Sequence, residues 1–234
     1  KQPDNKELRG ELQQIYAAIG ADKELADLLV EQVGDAADDA AKLELLRRAA
    51  KLYLGIGDAA AAAVPLRSIL EIDPADAESV GLLADAYTQS GQLDAAEQII
   101  DGAIESSPAG RSPELANLQL RKARLAAARG DRDTQLNVLQ LAFANDKQNG
   151  FIAAELADLA EEIENWDLAT KVLRQIALME GVECPISRAM SFVRQGRISL
   201  IQGDQKRAVF WARRAIKEDP ELAEAQVLLN ESGG

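Results

Sequence analysis

Histidine is absent from all 234 residues. This excludes Ser-His-Asp and Cys-His catalysis and every histidine-ligated metal site. The single cysteine, Cys184, excludes an intrachain disulfide and any multi-cysteine zinc or iron–sulfur centre. Aromatic residues make up only 4%, so the side chains that favour strands are scarce. No long apolar run exists: the six residues Ala59–Val64, bounded by Asp58 and Pro65, fall far short of the roughly 20 that span a bilayer. Basic side chains are the minority, 26 against 39 acidic ones for a net charge of -13. General binding to nucleic acid, which needs a basic face, is therefore not expected.

What is present is helix-forming. Ala is the commonest residue, joined by Leu, Glu, Gln, Lys and Arg, all favourable in helices. With 47% hydrophobic and 28% charged residues the chain has the composition of a folded protein. The opening residues 1–10 lack both Met and an apolar signal core, and the expectation is a fragment of a longer protein or a processed chain.

One phrase recurs along the sequence. Residues 52–74 and 86–108 align without gaps at a spacing of 34. In each, a tyrosine (Tyr53, Tyr87) stands four residues before a glycine (Gly57, Gly91). An alanine (Ala62, Ala96) follows that glycine by five and a proline (Pro74, Pro108) by seventeen. Residues 202–220 repeat the layout with Gly203, Ala208 and Pro220. Two further copies are looser: Gly130 is followed by Gln135 and Lys147, and Glu164 replaces glycine ahead of Trp166 and Ala169. The anchors fall at 57, 91, 130, 164 and 203, with five-residue insertions around 106–113 and 181–187. Apolar residues at i, i+3, i+4 and i+7, such as Leu46, Ala49, Ala50 and Tyr53, predict a helix on each side of the anchor. Gly then supplies a left-handed residue that ends the first helix, and the Asp after it caps the second. Pro74 and Pro220 are expected near the first turn of the following helix. Pro65, inside a predicted helix, is expected to kink it.

A helix–turn–helix unit of about 34 residues with small and aromatic residues at these offsets resembles the tetratricopeptide repeat family. The resemblance covers residues 41–220. It implies an all-α fold, a right-handed α-solenoid of about six helix–turn–helix units with a capping helix at the C-terminus. Residues 1–40 are expected to form a degenerate first unit, with Leu12, Ile15, Tyr16 and Ile19 before a turn at Gly20. Repeats follow at 41–76, 77–115, 116–149, 150–188 and 189–220, and 221–234 is the cap and tail. Gln119 and Lys122 stand where the family places apolar residues, so that helix is expected to be shifted or partly buried.

The resemblance also implies a groove lined by the first helices. Their outward stripes would carry Arg47 and Lys51; Asn117, Leu120, Arg121 and Arg124; Phe151, Ala154, Asp158 and Glu161; and Met190, Val193 and Arg197, with Arg194 alongside. Phe151, Met190 and Val193 would form an apolar floor bordered by Arg121 and Arg124 on one side and Arg194 and Arg197 on the other. Some members of the family grip a C-terminal carboxylate with Lys, Arg and Asn on successive first helices. Arg47 and Lys51 resemble half of such a clamp and Asn117 with Arg121 the other half, but Leu82 stands where an Asn is wanted.

Other residues have structural readings. Trp166 and Trp211 are expected to pack, Cys184 to be inert, and Glu161, Glu162 and Glu164 to form a solvated face. No catalytic residue, metal ligand or cofactor is expected. Net charge alternates by unit: 1–40, 77–115 and 150–188 are acidic, 41–76 is balanced, and 116–149 and 189–234 are basic. Ion pairs between neighbouring units, or a partner of complementary charge, would use that alternation. The expected function is a non-catalytic scaffold for a peptide or protein partner bearing acidic and apolar residues. A membrane-associated or periplasmic assembly or secretion factor is the first alternative, and the regulatory arm of a larger enzyme the second. The expected compartment is the cytoplasm, or the periplasm if a signal precedes residue 1.

Overall fold

A computed structural model describes residues 5–74, 76–108 and 110–234. Residues 1–4, on which the N-terminal reading rests, and Ala75 and Ala109 in two of the expected turns lie outside the described residues. The described residues form helices without strands. In order they are α1 (Asn5–Ile19), α2 (Asp22–Gln32), α3 (Asp39–Gly55), α4 (Ala59–Ile72), α5 (Ala77–Gln89), α6 (Leu93–Ser106) and α7 (Pro113–Ala128). They continue with α8 (Arg132–Asn145), α9 (Gly150–Glu162), α10 (Trp166–Ile176), α11 (Arg188–Ile201), α12 (Gln205–Glu218) and α13 (Ala223–Glu231). A 3-10 turn, Val33–Asp35, follows α2.

Each anchored turn works by one geometry. Gly57, Gly91, Gly130 and Gly203 all have φ between 75° and 78°, the left-handed region that glycine enters without steric cost. The N–H of the next residue then reaches back to the carbonyl five positions earlier. Asp58 bonds Tyr53 at 2.9 Å, Gln92 bonds Tyr87 at 2.8 Å, Asp131 bonds Ala126 at 2.9 Å and Asp204 bonds Ser199 at 2.8 Å. That bond closes the first helix. Asp58, Asp131 and Asp204 then open the second helix, each side chain accepting the N–H three residues on at 3.0 Å. Gln92 makes no such bond. The prolines differ from expectation. Pro74 and Pro220 precede the caps Asp76 and Leu222 and lie in the connecting turns, and among the described residues only Pro113 occupies the first turn of a helix. Pro65 is buried within α4 without ending it.

Glu164 takes the glycine's role with φ 58°, and Asn165 completes the same turn by bonding Ala160 at 2.8 Å. A side chain in that conformation costs about 1–2 kcal/mol. Glu164→Gly should therefore raise stability by about 0.5–1 kcal/mol, after allowing for glycine's freer unfolded chain. Equilibrium denaturation with guanidinium would show this as a higher midpoint at unchanged slope.

By contact density the helices fall into two compact units, residues 1–107 and 108–234, with the boundary in the first insertion. In the first unit Leu46, Ala49, Ala62, Leu66, Ile69 and Leu83 are fully buried. Tyr53 is buried too, and its hydroxyl donates to Asp27. Burial, then that hydrogen bond, pushes the phenol well above its ordinary pKa. The expected apolar stripe of α1 is not buried: Leu12, Ile15 and Ile19 are exposed, while Leu25 and Leu29 of α2 enter the core. In the second unit a core of α7, α8, α9 and α10 centres on Leu139, Ile152, Leu156, Val172 and Leu173, flanked by Trp166 and Cys184. A second core joins α11, α12 and α13, where Phe192 stacks on Trp211 at 5.7 Å.

The residue five past each anchor sits where the two helices touch. Ala62, Ala96, Ala169 and Ala208 are completely buried, whereas Gln135 in α8 is half-buried. The second insertion folds back on the start of α9. A Cβ on Gly150 would lie 2.2 Å from the Glu183 carbonyl oxygen and 2.7 Å from Cys184 Cβ, so only glycine fits. The Cys184 thiol donates to the Gly150 carbonyl at 3.4 Å, a bond a serine hydroxyl can also make. Ala96→Leu should cost about 1–3 kcal/mol by overpacking, and Cys184→Ser less than about 0.5. Thermal melts of the two variants side by side would show the difference.

Candidate functional site

The first helices of the three pairs in residues 108–234 are α7, α9 and α11, and their polar stripes are tied together by side chains. Asn149, which caps α9, donates from its amide to Asn117 of α7 at 3.2 Å. Further along α7, Arg124 Nε donates to Glu155 of α9 at 2.8 Å. Arg194 of α11 then grips two carboxylates of α9, Asp158 at 2.7 Å and Glu161 at 2.8 Å. Burial disfavours the Arg194 charge, but its bonds to Glu161 and Asp158 outweigh that and hold the guanidinium protonated more firmly than usual. Cation and carboxylate thus alternate from α7 to α9 to α11.

The same device recurs elsewhere. Arg47 of α3 pairs with Asp76, the cap of α5, at 2.7 Å. Burial raises the Asp76 pKa, but Arg47 and the Ser79 N–H more than offset it and hold the carboxyl below its ordinary range. Arg132 pairs with Glu162 at 2.5 Å and holds that carboxyl low as well. The alternating unit charges are therefore spent, at least in part, on joining helices of neighbouring pairs.

This changes the standing of the residues expected to meet a partner. Val193 is fully buried, not on an open stripe. It belongs to the core of α11, α12 and α13, because the terminal helix α13 packs over α11 and widens its buried face. Met190 is half-buried against both cores of this unit. Leu120 and Ala154, also expected on the outward stripe, are buried as well. Arg47, Arg124 and Arg194 are engaged in ion pairs, and Arg121 is half-buried. Lys51 and Arg197 are exposed. Arg47 and Lys51 lie in the first unit, and the other expected residues in the second. Phe151, 42% exposed, remains the large apolar side chain of the α9 stripe, one turn before Glu155. Gln119 is half-buried and accepts the Asn145 amide at 2.8 Å, so a polar pair replaces the apolar contact expected there.

Sequence reasoning missed the outer stripe of α12, where Lys206, Phe210, Arg213 and Lys217 are exposed. Superposing the anchors and reading outward positions would have found it.

Paired helices, left-handed anchor turns and alanine contacts define an all-α repeat protein of the helix–turn–helix class. Residues 53–125 match the model of the tetratricopeptide repeat family. No curated protein matches the sequence. Among solved structures, a tetratricopeptide repeat protein from Parabacteroides merdae is 20% identical, with a TM-score of 0.55 over 100% of this chain and 86% of that one. PilW, a type IV pilus biogenesis factor, is 15% identical, with a TM-score of 0.59 over 97% of this chain and 99% of its own. YrrB, described as having an unusual peptide-binding site, is 14% identical, with a TM-score of 0.56 over 86% and 97%. At these identities the likeness shows the fold.

Arg194→Ala would leave Asp158 and Glu161 one turn apart without their shared cation. It should cost about 1.5–3 kcal/mol, the range for hydrogen bonds to charged groups, whereas Arg197→Ala should change stability by less than about 0.5. Chemical denaturation at low and high salt would separate the two, since only the first loss is salt-sensitive.

Proposed function

We propose that the protein is a non-catalytic scaffold that binds a peptide or protein segment across the stripes of α7, α9 and α11. The observation that carries this reading is Phe151. It stands exposed on a stripe whose other positions are locked by Arg124–Glu155 and Arg194–Asp158 pairs. An aromatic anchor on a rigid, charge-bordered surface is the composition of a binding hot spot. The locked arginines fix that surface, and Arg197 is the exposed cation on the α11 stripe. The partner segment would carry one or two apolar residues flanked by acids. No cofactor or metal takes part. The repeats support the general role, and the likeness to YrrB supports the peptide mode.

The likeness to PilW supports a second reading, a factor in the assembly of a secreted or surface structure. No described helix is long and apolar enough to cross a membrane. The cytoplasm is the proposed compartment under the first reading and the periplasm under the second.

Phe151→Ala should weaken partner binding by at least about 1 kcal/mol, chiefly through faster dissociation, while Arg197→Glu should slow association and flatten its salt dependence. Surface plasmon resonance against the partner isolated by cross-linking would measure both. A lower melting temperature with unchanged affinity for Phe151→Ala would mean that the ring only secures the start of its own helix.

A further inference from the structure

The anchor at 203 allows α12 to be compared with the other second helices position by position. The residues 3, 7, 10 and 14 past each anchor form one outward stripe. In α4 these are Ala60, Val64, Arg67 and Glu71, and in α6 they include Asp94, Asp101 and Glu105. In α8 and α10 the stripe is mixed and begins with Asp133 and Asp167. In α12 alone it reads Lys206, Phe210, Arg213 and Lys217, cationic or aromatic throughout, in a chain of net charge -13. All four are exposed.

The stripe borders a shallow, open depression of about 510 Å³. Its lining is Lys206, Val209, Phe210, Arg213, Arg214 and Lys217, four cations and two apolar residues with no carboxylate among them. The aromatic part is rigid. Phe210, 55% exposed, meets the Trp211 ring edge-on at 4.9 Å, and Trp211 stacks on the buried Phe192. Arg214 lies over the Phe192 ring at 4.7 Å, which fixes its direction too. A ring held in water by a stack rooted in the core loses little freedom on binding, which favours affinity.

We propose that this outer face of α12 is a second docking surface, which takes an acidic protein segment with one apolar side chain placed against Phe210 and carboxylates paired to Lys206, Arg213 and Lys217. Charge complementarity carries the choice of occupant: the lining offers only cations and apolar surface. The lining residues all lie on α12, so the surface is an open helix face along which an extended acidic segment can lie. The surface shares no residue with the α7, α9 and α11 stripes, so one partner can occupy each.

The test is selection from a phage-displayed library of random peptides of about 12 residues on the full chain, counter-selected on the Phe210→Ala/Arg213→Glu variant. Enriched peptides should carry at least about three Asp or Glu around an apolar residue. A synthetic copy should bind at least about tenfold more weakly to Phe210→Ala and to Arg213→Glu/Lys217→Glu, measured by fluorescence anisotropy. Phe151→Ala should bind it as well as the unaltered chain, so failure of this site and failure of the α7, α9 and α11 site are separable. The charge variant changes only exposed side chains, and its circular dichroism should match the parent. The proposal is overturned if no peptide is enriched over the variant, or if the enriched peptides are not acidic. It is equally overturned if vesicles containing phosphatidylserine, or a second copy of the chain seen by sedimentation, bind instead and lose binding in the same variants.

Discussion

A two-helix unit of this kind depends on reversing the chain within about three residues. Helical backbone cannot turn that sharply unless one residue takes a positive φ, and L side chains resist it. Gly57, Gly91, Gly130 and Gly203 meet the demand, and at 164 a glutamate is made to meet it. The residue after the turn then does two jobs, its N–H ending one helix and its side chain opening the next. With the turn fixed, the two helices can only lie against each other, and the fifth residue onward is forced into their contact. An alanine there lets the axes approach closely. Turn, cap and contact are therefore one constraint, and the spacing of the anchors follows from it.

Between pairs a different interaction takes over. Arg47–Asp76, Arg124–Glu155, Arg132–Glu162 and Arg194–Asp158/Glu161 all reach from one helix pair to the next. Exposed pairs of this kind add little to stability, and the partly buried Arg194 is the exception in environment. Each joins a cation on one helix to a carboxylate on a helix of the neighbouring pair, so the pairs follow the packing that brings those helices together. Phe151 and Phe210 remain exposed.

The period, the turns and the buried alanines were legible because each is a local rule. A glycine, an aspartate and a small residue at fixed spacing have few other uses. The outward register of the first helices was legible only in part. Arg124 and Asp158 are exposed, whereas Val193 is buried in the core that α11 shares with α12 and with α13, some thirty residues further along. Periodicity reports how wide an apolar face a helix carries, not how many neighbours will cover it. The ion pairs were visible as alternating charge but not as partners, since long side chains reach several carboxylates and only packing selects one. Pro74 and Pro220 were misplaced by a few residues because a proline fits the turn before a cap as well as the first helical turn.

The contact between Gly150 and the loop at 183–184 bears on cooperativity. In a linear array each repeat unfolds with a probability set by its own stability and by its interfaces. Ordinary repeats share only helix faces, so a terminal pair can fray while its neighbour stays folded. Here the segment that connects α10 to α11 rests its backbone on the first residue of α9, with no room for even a methyl group between them. Releasing α11 frees that segment and uncovers the start of α9. The inserted residues, which look like slack in the repeat, thus tie the connection before α11 to the start of α9 and add a backbone contact to the helix faces that the two pairs share.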